Sequence, residues 1–180
     1  MTETRKYPIA GTDFFTQIMD DDGYYIDKTD VIPWLLARKK RVILFTRPRR
    51  FGKSTMMSML KAFFEYRLDR DGKPVDNRHY FEKHKVSQNA EAMPMLGAYP
   101  VISITLKDVI QFNFKEALGA LTNKIRLMFE LCVWAWKYSS FTLLEKQRIF
   151  IENILYGNPS PEDLANSIAL LSGILHDATN

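Results

Sequence analysis

The stretch "RVILFTRPRRFGKSTMMSMLKAFFE", residues 41–65, decides the fold that we predict for this chain. Its first six residues form a short apolar run with β-branched side chains, as in a buried strand. Gly52-Lys53-Ser54 then supplies the last three letters of the phosphate-binding pattern G-x-x-x-x-G-K-[ST], although Arg47 replaces its first glycine. Helical periodicity follows over Lys53–Tyr66. A strand, a loop and a helix in this order are the context that a phosphate-binding loop requires.

Each residue at the end of this loop has a chemical role in binding a phosphate. Gly52 lets the backbone approach an anion closely, with dihedral angles that other residues avoid. The amides of the loop and of the first helical turn point at the anion, and the helix dipole favours its negative charge. Lys53 would reach the β- and γ-phosphate oxygens, and the Ser54 hydroxyl would ligate Mg²⁺. The pattern therefore predicts a site for a nucleoside triphosphate with Mg²⁺.

Positive charge is concentrated around this loop. The chain carries 25 basic and 21 acidic residues, a net charge of +4. Eight basic residues and no acidic ones lie between 38 and 53, and subtracting them leaves 17 basic residues against 21 acidic ones elsewhere. The eight are Arg38, Lys39, Lys40, Arg41, Arg47, Arg49, Arg50 and Lys53. Such a concentration attracts the phosphates of a nucleotide or of a nucleic-acid backbone, although a solvated turn can carry the same charges.

Length and composition are typical of one globular domain without a membrane span. The 180 residues are 46% hydrophobic and 26% charged, which excludes a disordered chain. The N-terminus lacks the apolar core of a secretory signal peptide, and no apolar run approaches the ~18 residues that cross a bilayer. The lone Cys132, interpreted as a buried small hydrophobe, fits a reducing cytoplasm. The three histidines have no zinc-ligand spacing with it, so we expect no site for a metal alone.

Strands and helices alternate along the chain. The residue patterns predict strands at 24–27, 41–46 and 99–106. They predict helices at 12–19, 29–40, 53–66, 113–137 and 141–155, and a last helix that begins at Pro161 with Ser160 as its N-cap. The apolar stripe of the helix at 53–66 is interpreted as core packing, and the polar segment 68–98 as a surface crossing. The alternation predicts an α/β fold with a parallel sheet.

Three segments resemble the bacterial AAA-ATPase-like proteins. They are "YYIDKTDVIPWLL" from Tyr24, "ILFTRPRRFGKSTMMSMLKAFFE" from Ile43 and "YPVISITLKD" from Tyr99. That family's loop reads T-R-P-R-R-F-G-K-[ST], which stands here at residues 46–54, and its upstream [YV]-x-D-K-T element stands at residues 25–29. The resemblance runs from about Ile9 to the last helix. Many members of the family carry a PD-(D/E)XK-type nuclease domain at the C-terminus.

The resemblance implies a P-loop NTPase of the ASCE, AAA-like type, a three-layer α/β/α fold that binds ATP with Mg²⁺. Residues 1–180 would form one domain, with a lead-in at 1–40, the strand, loop and helix at 41–67, and the second strand and helices at 99–175. The phosphate-binding positions that it implies are Arg49, Arg50, Phe51, Gly52, Lys53, Ser54 and Thr55, with Ser54 on Mg²⁺. The Asp27-Lys28-Thr29 element would lie near the base or ribose, or would simply lead from a strand end into a helix cap.

The chain departs from the family pattern at its C-terminal end. The pattern continues with an apolar Walker B strand that ends in acidic residues, whereas this sequence stops at Asn180 without one. Asp108 is the nearest substitute, but Thr105 and Lys107 interrupt the apolar run before it. We therefore expect the N-terminal portion of a longer protein, or a truncated remnant, with a sheet that is cut short. We also expect little hydrolysis by this chain alone, because phosphoryl transfer depends on the missing carboxylates.

Three functions stay open on the sequence. The first is the core of a P-loop ATPase, for which ATP and GTP are both allowed because no base-reading motif is present. The second is a nucleic-acid-binding module that uses residues 38–41 and 47–50. The third is an interaction protein whose open sheet edge and apolar surfaces recruit a partner chain or a second copy. In each case we expect a cytoplasmic protein.

Overall fold

The computed structural model of this protein describes most of the chain. The described residues are Tyr7, Ile9, 11–40, 42–46, Pro48, 50–107 and 109–179. They fall into two compact units. The first contains the described residues up to Tyr66 together with Val75–Tyr99, and the second contains Arg67–Pro74 and the described residues from Pro100 onward. The predicted organisation of 1–180 as one domain stays a prediction.

Helices form the regular structure of both units. In chain order they are α1 (Phe15–Asp20), α2 (Val31–Arg38), α3 (Lys53–Phe64), α4 (Phe114–Leu131), α5 (Trp134–Lys137), α6 (Glu145–Tyr156) and α7 (Pro161–Thr179). Three short 3-10 turns lie between α3 and α4, at Arg78–Tyr80, Lys85–Gln88 and Met93–Met95. Each predicted helix has a counterpart, and the one at 113–137 is divided into α4 and α5. Within the described part of the chain, no helix is long and apolar enough to cross a membrane.

The predicted α/β fold is wrong. The described residues contain no β-strand, and bridged backbone is limited to two isolated pairs, Glu65 with Tyr99 and Leu68 with Pro74. The described residues of the stretches predicted as strands, at 24–27, 41–46 and 99–106, lie outside any ladder. The chain is therefore not a three-layer α/β/α P-loop fold with a parallel sheet. The open sheet edge that a partner would cover is likewise not found in the described structure.

The reason for this difference lies in the pairing that a strand requires. An apolar, β-branched run becomes a strand only when a neighbouring segment exchanges backbone hydrogen bonds with it. No such neighbour lies along 42–46 in the described residues, and alternate apolar residues of the run face solvent, with Val42 87% and Leu44 82% exposed. Residue types alone predict a surface that fits a sheet, but they do not say whether a pairing partner exists.

The core of the first unit is built around α3. Met56, Met59 and Phe63 recur at helical spacing on its buried side. The buried residues of this core are Phe15, Ile32, Met56, Met59, Ala62, Phe63, Phe81, Val86 and Ala92. At the start of α1 the Phe15 backbone N–H donates to Ser58 Oγ on α3 at 3.0 Å. The stripe on α3 is thus confirmed as core packing, whereas the segment predicted as a surface crossing, 68–98, supplies part of the core.

The C-terminal end of α3 is held by the segment that follows it. Asn77 Nδ2, the Gly97 N–H and the Tyr99 N–H donate to the carbonyl oxygens of residues 62, 63 and 64 at 2.9, 2.8 and 2.9 Å. The last carbonyls of any α-helix lack partners within the helix, so outside donors must satisfy them where they are buried. These three hydrogen bonds hold the C-terminal end of α3 in place. The N-terminal end of α3 follows directly from the loop before it.

The second unit is a group of packed helices. α4, α6 and α7 contact one another, and α5 contacts α7. Their buried apolar residues include Ile125, Met128, Phe129, Cys132, Trp134, Ile151, Ile154, Leu164, Leu171, Ile174 and Leu175. The interpretation of Cys132 as a buried small hydrophobe is thereby confirmed.

Predicted and unpredicted caps hold these helices. α7 begins with the predicted cap, since the Asp163 N–H donates to Ser160 Oγ at 3.1 Å and the Ser160 N–H donates to Asp163 Oδ2 at 2.8 Å. Arg126 on α4 donates to the carbonyl oxygens of Ile154 and Gly157 at 3.0 and 2.6 Å. This contact satisfies the C-terminal end of α6 with a positive charge, as the helix dipole favours.

Candidate functional site

The loop before α3 contains two residues in the left-handed backbone region. Gly52 has φ 68° and ψ 29°, which carries no steric penalty in the absence of a Cβ. Arg50, with φ 64°, adopts a conformation that residues with side chains rarely take. Arg49, which the sequence predicts as a site residue, lies outside the described residues, as does Arg47. The chain therefore turns sharply on both sides of Phe51 and enters α3 directly after Gly52.

The Lys53 side chain folds back over this loop. Its Nζ donates to the carbonyl oxygen of Pro48 at 3.0 Å. The contact links Lys53, the first residue of α3, to Pro48 in the loop. The positive charge of Lys53 therefore lies on the side of α3 that faces the loop.

The N-terminal end of α3 adds partial positive charge to this region. The Met56 N–H donates to the Gly52 oxygen at 2.9 Å, and the N–H groups before it belong to the turn that has no acceptor within an α-helix. The first turn of α3 carries no acidic residue and has no side-chain cap, so nothing in that turn neutralises the helix dipole. Ser54 is exposed on this turn, and Thr55 is half-buried.

Lys28 brings a second ammonium group to the loop. A Cβ built at Gly52 would lie 3.1 Å from Lys28 Nζ. Because glycine has no Cβ, the lysine side chain can occupy that space. The structure therefore brings one member of the predicted Asp27-Lys28-Thr29 element against the predicted phosphate loop.

The other two members of that element bind the chain's own backbone. Asp27 Oδ1 accepts hydrogen bonds from the Thr29 N–H at 2.9 Å and from the Thr29 hydroxyl at 2.7 Å. Asp27 Oδ2 accepts from the Lys85 N–H at 2.8 Å. The Thr29 hydroxyl oxygen, which is buried, accepts from the Val86 N–H at 3.1 Å. Asp27 and Thr29 therefore fasten the 3-10 turn at Lys85–Gln88 to the segment that carries Lys28.

These hydrogen bonds also determine the charge of Asp27. Burial favours the neutral acid, but the hydrogen bonds from Lys85 and Thr29, with His84 Nδ1 at 3.6 Å, outweigh burial and lower the pKa of the carboxyl below its usual value. Nearby, burial raises the pKa of Tyr25 to about 12, so this phenol stays neutral. Asp27 is therefore ionised at neutral pH, and its carboxylate oxygens accept hydrogen bonds from Thr29 and from the Lys85 backbone.

An aromatic and cationic pair lies on α2, close to the start of the basic segment. The Arg38 Cζ lies 4.2 Å from the centroid of the Trp34 ring. The Phe45 ring packs against the same indole, with 6.1 Å between centroids and 45° between planes. Among the basic residues that were proposed to bind nucleic acid, Arg41, Arg47 and Arg49 lie outside the described residues.

Several of these contacts are missing from the predictions made from residue patterns. The Pro48 carbonyl that accepts from Lys53 and the Lys85 N–H that binds Asp27 are backbone groups, which residue identity does not reveal. Trp34 and Arg38 do leave a signal, since they stand four residues apart on one helix, a spacing that places side chains over one another.

The loop fits an anionic phosphate group. Two ammonium groups and an uncapped helix end lie at this loop and favour negative charge, and Gly52 lets an anion approach the backbone closely. In such sites Mg²⁺ is held by a few protein oxygens together with phosphate oxygens. The exposed Ser54 hydroxyl is available as one of these protein ligands. The part of the chain that the structure describes contains no group of three or more His, Cys, Asp or Glu residues that could hold a metal ion by itself. Asp108, the predicted substitute for a Walker B carboxylate, lies outside the described residues.

Comparison with known proteins identifies a family for this chain. A family model with the description "Predicted AAA-ATPase", of the AAA-ATPase-like family, matches residues 8–155. The matched region is well over half of the chain and contains the Asp27-Lys28-Thr29 element, the loop and α3. No curated protein and no solved structure matches the chain.

Proposed function

The chain belongs to the AAA-ATPase-like family, and from this membership we propose that it binds ATP with Mg²⁺ through the loop that ends in Gly52-Lys53-Ser54. The observation that carries the proposal is the approach of Lys28 and Lys53 to the same glycine turn. Both lysines place positive charge near this turn, and a polyanion bound there gains a Coulomb attraction from each of them. A triphosphate is a ligand with the required charge.

The phosphates would be held by backbone and side-chain donors of the loop. The N–H groups at the start of α3 would bind phosphate oxygens along the helix axis. Lys53 would contact the β- and γ-phosphates, and Lys28 would approach them from the Gly52 side. Arg50, Phe51 and Thr55 complete the described part of the loop, and Arg49 is a further expected contact.

Magnesium would be held by the Ser54 hydroxyl together with the phosphates. An ion bound there would neutralise part of the phosphate charge and orient the triphosphate of the nucleotide. The expectation that this chain alone hydrolyses ATP slowly stays a prediction, as do a cytoplasmic location and a bacterial source. A nuclease activity is not part of the proposal.

A comparison of two lysine variants on α3 tests the proposal. Lys53→Ala should weaken MgATP binding at least tenfold, because a charge-assisted hydrogen bond is lost. Lys61→Ala is the matched control, since Lys61 lies on the same helix and pairs with Glu65 at 3.5 Å, away from the loop. Its affinity for MgATP should stay within about twofold of the unmodified chain. Both affinities can be measured by isothermal titration calorimetry.

The Lys28→Ala variant separates this site from a loop that acts alone. We expect a loss of MgATP affinity that is smaller than the loss for Lys53→Ala and larger than that for Lys61→Ala. Equal affinities for the unmodified chain and for Lys53→Ala would overturn the proposal. An effect of Lys53→Ala without any effect of Lys28→Ala would remove Lys28 from the site.

A further inference from the structure

Trp34 is a large aromatic residue that the fold of the first unit leaves accessible. It is 42% exposed, whereas Ile32 on the same helix is fully buried. Trp residues in folded proteins are mostly buried, so a tryptophan exposed to this degree is informative. The indole is not among the side chains that form the core around α3 or pack against it.

The surroundings of Trp34 are cationic and aromatic. Arg38 places its guanidinium over the indole, with Cζ 4.2 Å from the ring centroid, and the tilted Phe45 ring contacts the indole with 6.1 Å between centroids. No acidic residue lies within α2, and Lys39 and Lys40 follow it directly. Indole rings and guanidinium planes are the protein groups on which nucleobases stack, and the positive charges attract the attached phosphates.

The position of Trp34 relative to the loop can be bounded through Lys28. The Val31 N–H donates to the Lys28 oxygen at 3.1 Å, so these residues form a turn whose ends lie less than about 7 Å apart. Trp34 follows three residues later in α2, a rise of about 4.5 Å along the helix axis. The backbone of Trp34 is thus roughly 12 Å or less from that of Lys28, whose ammonium group reaches Gly52.

We propose that Trp34, together with Arg38, is the platform on which the base of the bound nucleotide stacks, while Lys28 and Lys53 hold its phosphates. This inference rests on the proposed function and assigns the base-binding half of the same site. Stacking accepts any base, and the larger purines give the larger contact, which places ATP and GTP ahead of pyrimidine nucleotides.

A mononucleotide suits this platform better than a single-stranded nucleic acid. Proteins that bind single strands without sequence preference stack successive bases on several aromatic side chains. Trp34 on α2 is 42% exposed, Phe51 in the loop is 60% exposed, and Phe45 is half-buried. The exposed aromatic side chains in α2 and in the described residues of the loop are therefore Trp34 and Phe51, fewer than the several rings on which successive bases of a strand stack.

Calorimetric titrations with two ligands separate the base from the phosphates. Magnesium tripolyphosphate carries the phosphates alone, and MgATP carries the base as well. Trp34→Ala should weaken MgATP binding about tenfold and leave tripolyphosphate binding unchanged within about twofold. Trp34→Phe should restore most of the affinity for MgATP, because a phenyl ring also stacks. Trp136→Phe, a tryptophan change in the second unit, is the control and should alter neither affinity.

The outcomes distinguish the two proposals. If Trp34→Ala leaves MgATP affinity unchanged while Lys53→Ala weakens it, the stacking platform is refuted and the phosphate site stands. If neither ligand binds the unmodified chain, the phosphate site fails and the platform fails with it. An unmodified oligodeoxyadenylate that binds more tightly than MgATP, and loses that affinity in Trp34→Ala, would overturn the assignment to a mononucleotide.

Discussion

Gly52 affects both the backbone conformation of the loop and the position of a nearby positive charge, because glycine has no Cβ. Its left-handed conformation suits glycine, and the space of its absent Cβ lies beside Lys28 Nζ. The neighbouring Arg50 adopts a similar φ without that advantage. The loop therefore keeps one unfavourable conformation, which the contact between Lys53 and Pro48 helps to hold.

Gly52→Ala should destabilise the fold and weaken nucleotide binding together. The added methyl group costs about 1–2 kcal/mol in the left-handed region and displaces the Lys28 ammonium. We expect a lower urea midpoint and at least a tenfold loss of MgATP affinity. The control is Gly119→Ala in α4, where a Cβ meets nothing within 4 Å and should stabilise the helix by up to about 1 kcal/mol. Equal unfolding midpoints for the two variants would contradict this account of Gly52.

Asp27→Asn should change how stability depends on pH. The pKa of Asp27 is lowered in the folded state, so its contribution is present above the pKa of the unfolded chain and is lost as pH falls through the folded value. At pH 7 the amide should cost about 1–2 kcal/mol, since it accepts fewer of the hydrogen bonds from Thr29 and Lys85.

The sign of the pH effect provides the check. Urea midpoints measured from pH 7 down to pH 3 should fall more steeply for the unmodified chain than for Asp27→Asn, and the difference between the two should shrink toward the acid end. Parallel curves would show that the carboxylate contributes nothing through its charge.

Among the elements, α3 links the core to the site. Its C-terminal carbonyls accept hydrogen bonds from Asn77, Gly97 and Tyr99, its middle is buried, and its N-terminal end follows the loop that we propose binds phosphate. A helix fixed in this way holds Lys53 in place without help from a sheet. The site thus depends on the packing of α3 rather than on strand pairing in the described residues.

Asn77→Ala should reveal how much the C-terminal tie of α3 contributes. The change leaves the buried Ala62 carbonyl without its donor, which costs about 1–3 kcal/mol. Gln88→Ala, a change at an exposed amide in the same segment, should stay within about 0.5 kcal/mol of the unmodified chain. Urea unfolding monitored by circular dichroism measures both. An Asn77→Ala variant as stable as Gln88→Ala would contradict the role given to this bond.

At the scale of the whole molecule, local signals predicted the helices and non-local pairing was not predictable. Ser160 and Asp163 predict the start of α7, because the hydrogen bonds of this cap form between residues that are three positions apart in the chain. The run at 42–46 has the residue types of a strand, but a strand also needs a partner that the residue types do not specify. The predicted α/β fold failed for this reason, while the helical half of the prediction held.

In the candidate site, too, the sequence predicts some of the residues but not the contacts that they make on folding. Gly52 and Lys53 are recognisable because the phosphate-binding pattern is contiguous in the chain, and Lys28 lies in a second contiguous motif. The contact between Lys53 and Pro48 and the contact between Trp34 and Phe45 arise from folding, so the motifs that contain these residues do not reveal the contacts. Family membership covers both units, since the matched region runs from residue 8 to residue 155.

The central claim is that Lys53 and the glycine turn before α3 bind the phosphates of ATP. The most direct test is a calorimetric titration of the full chain with MgATP, repeated with Lys53→Ala and Lys61→Ala. The account predicts one saturable site in the unmodified chain and in Lys61→Ala, and at least a tenfold weaker site in Lys53→Ala. Binding of equal strength in all three proteins, or no binding in any of them, would contradict it.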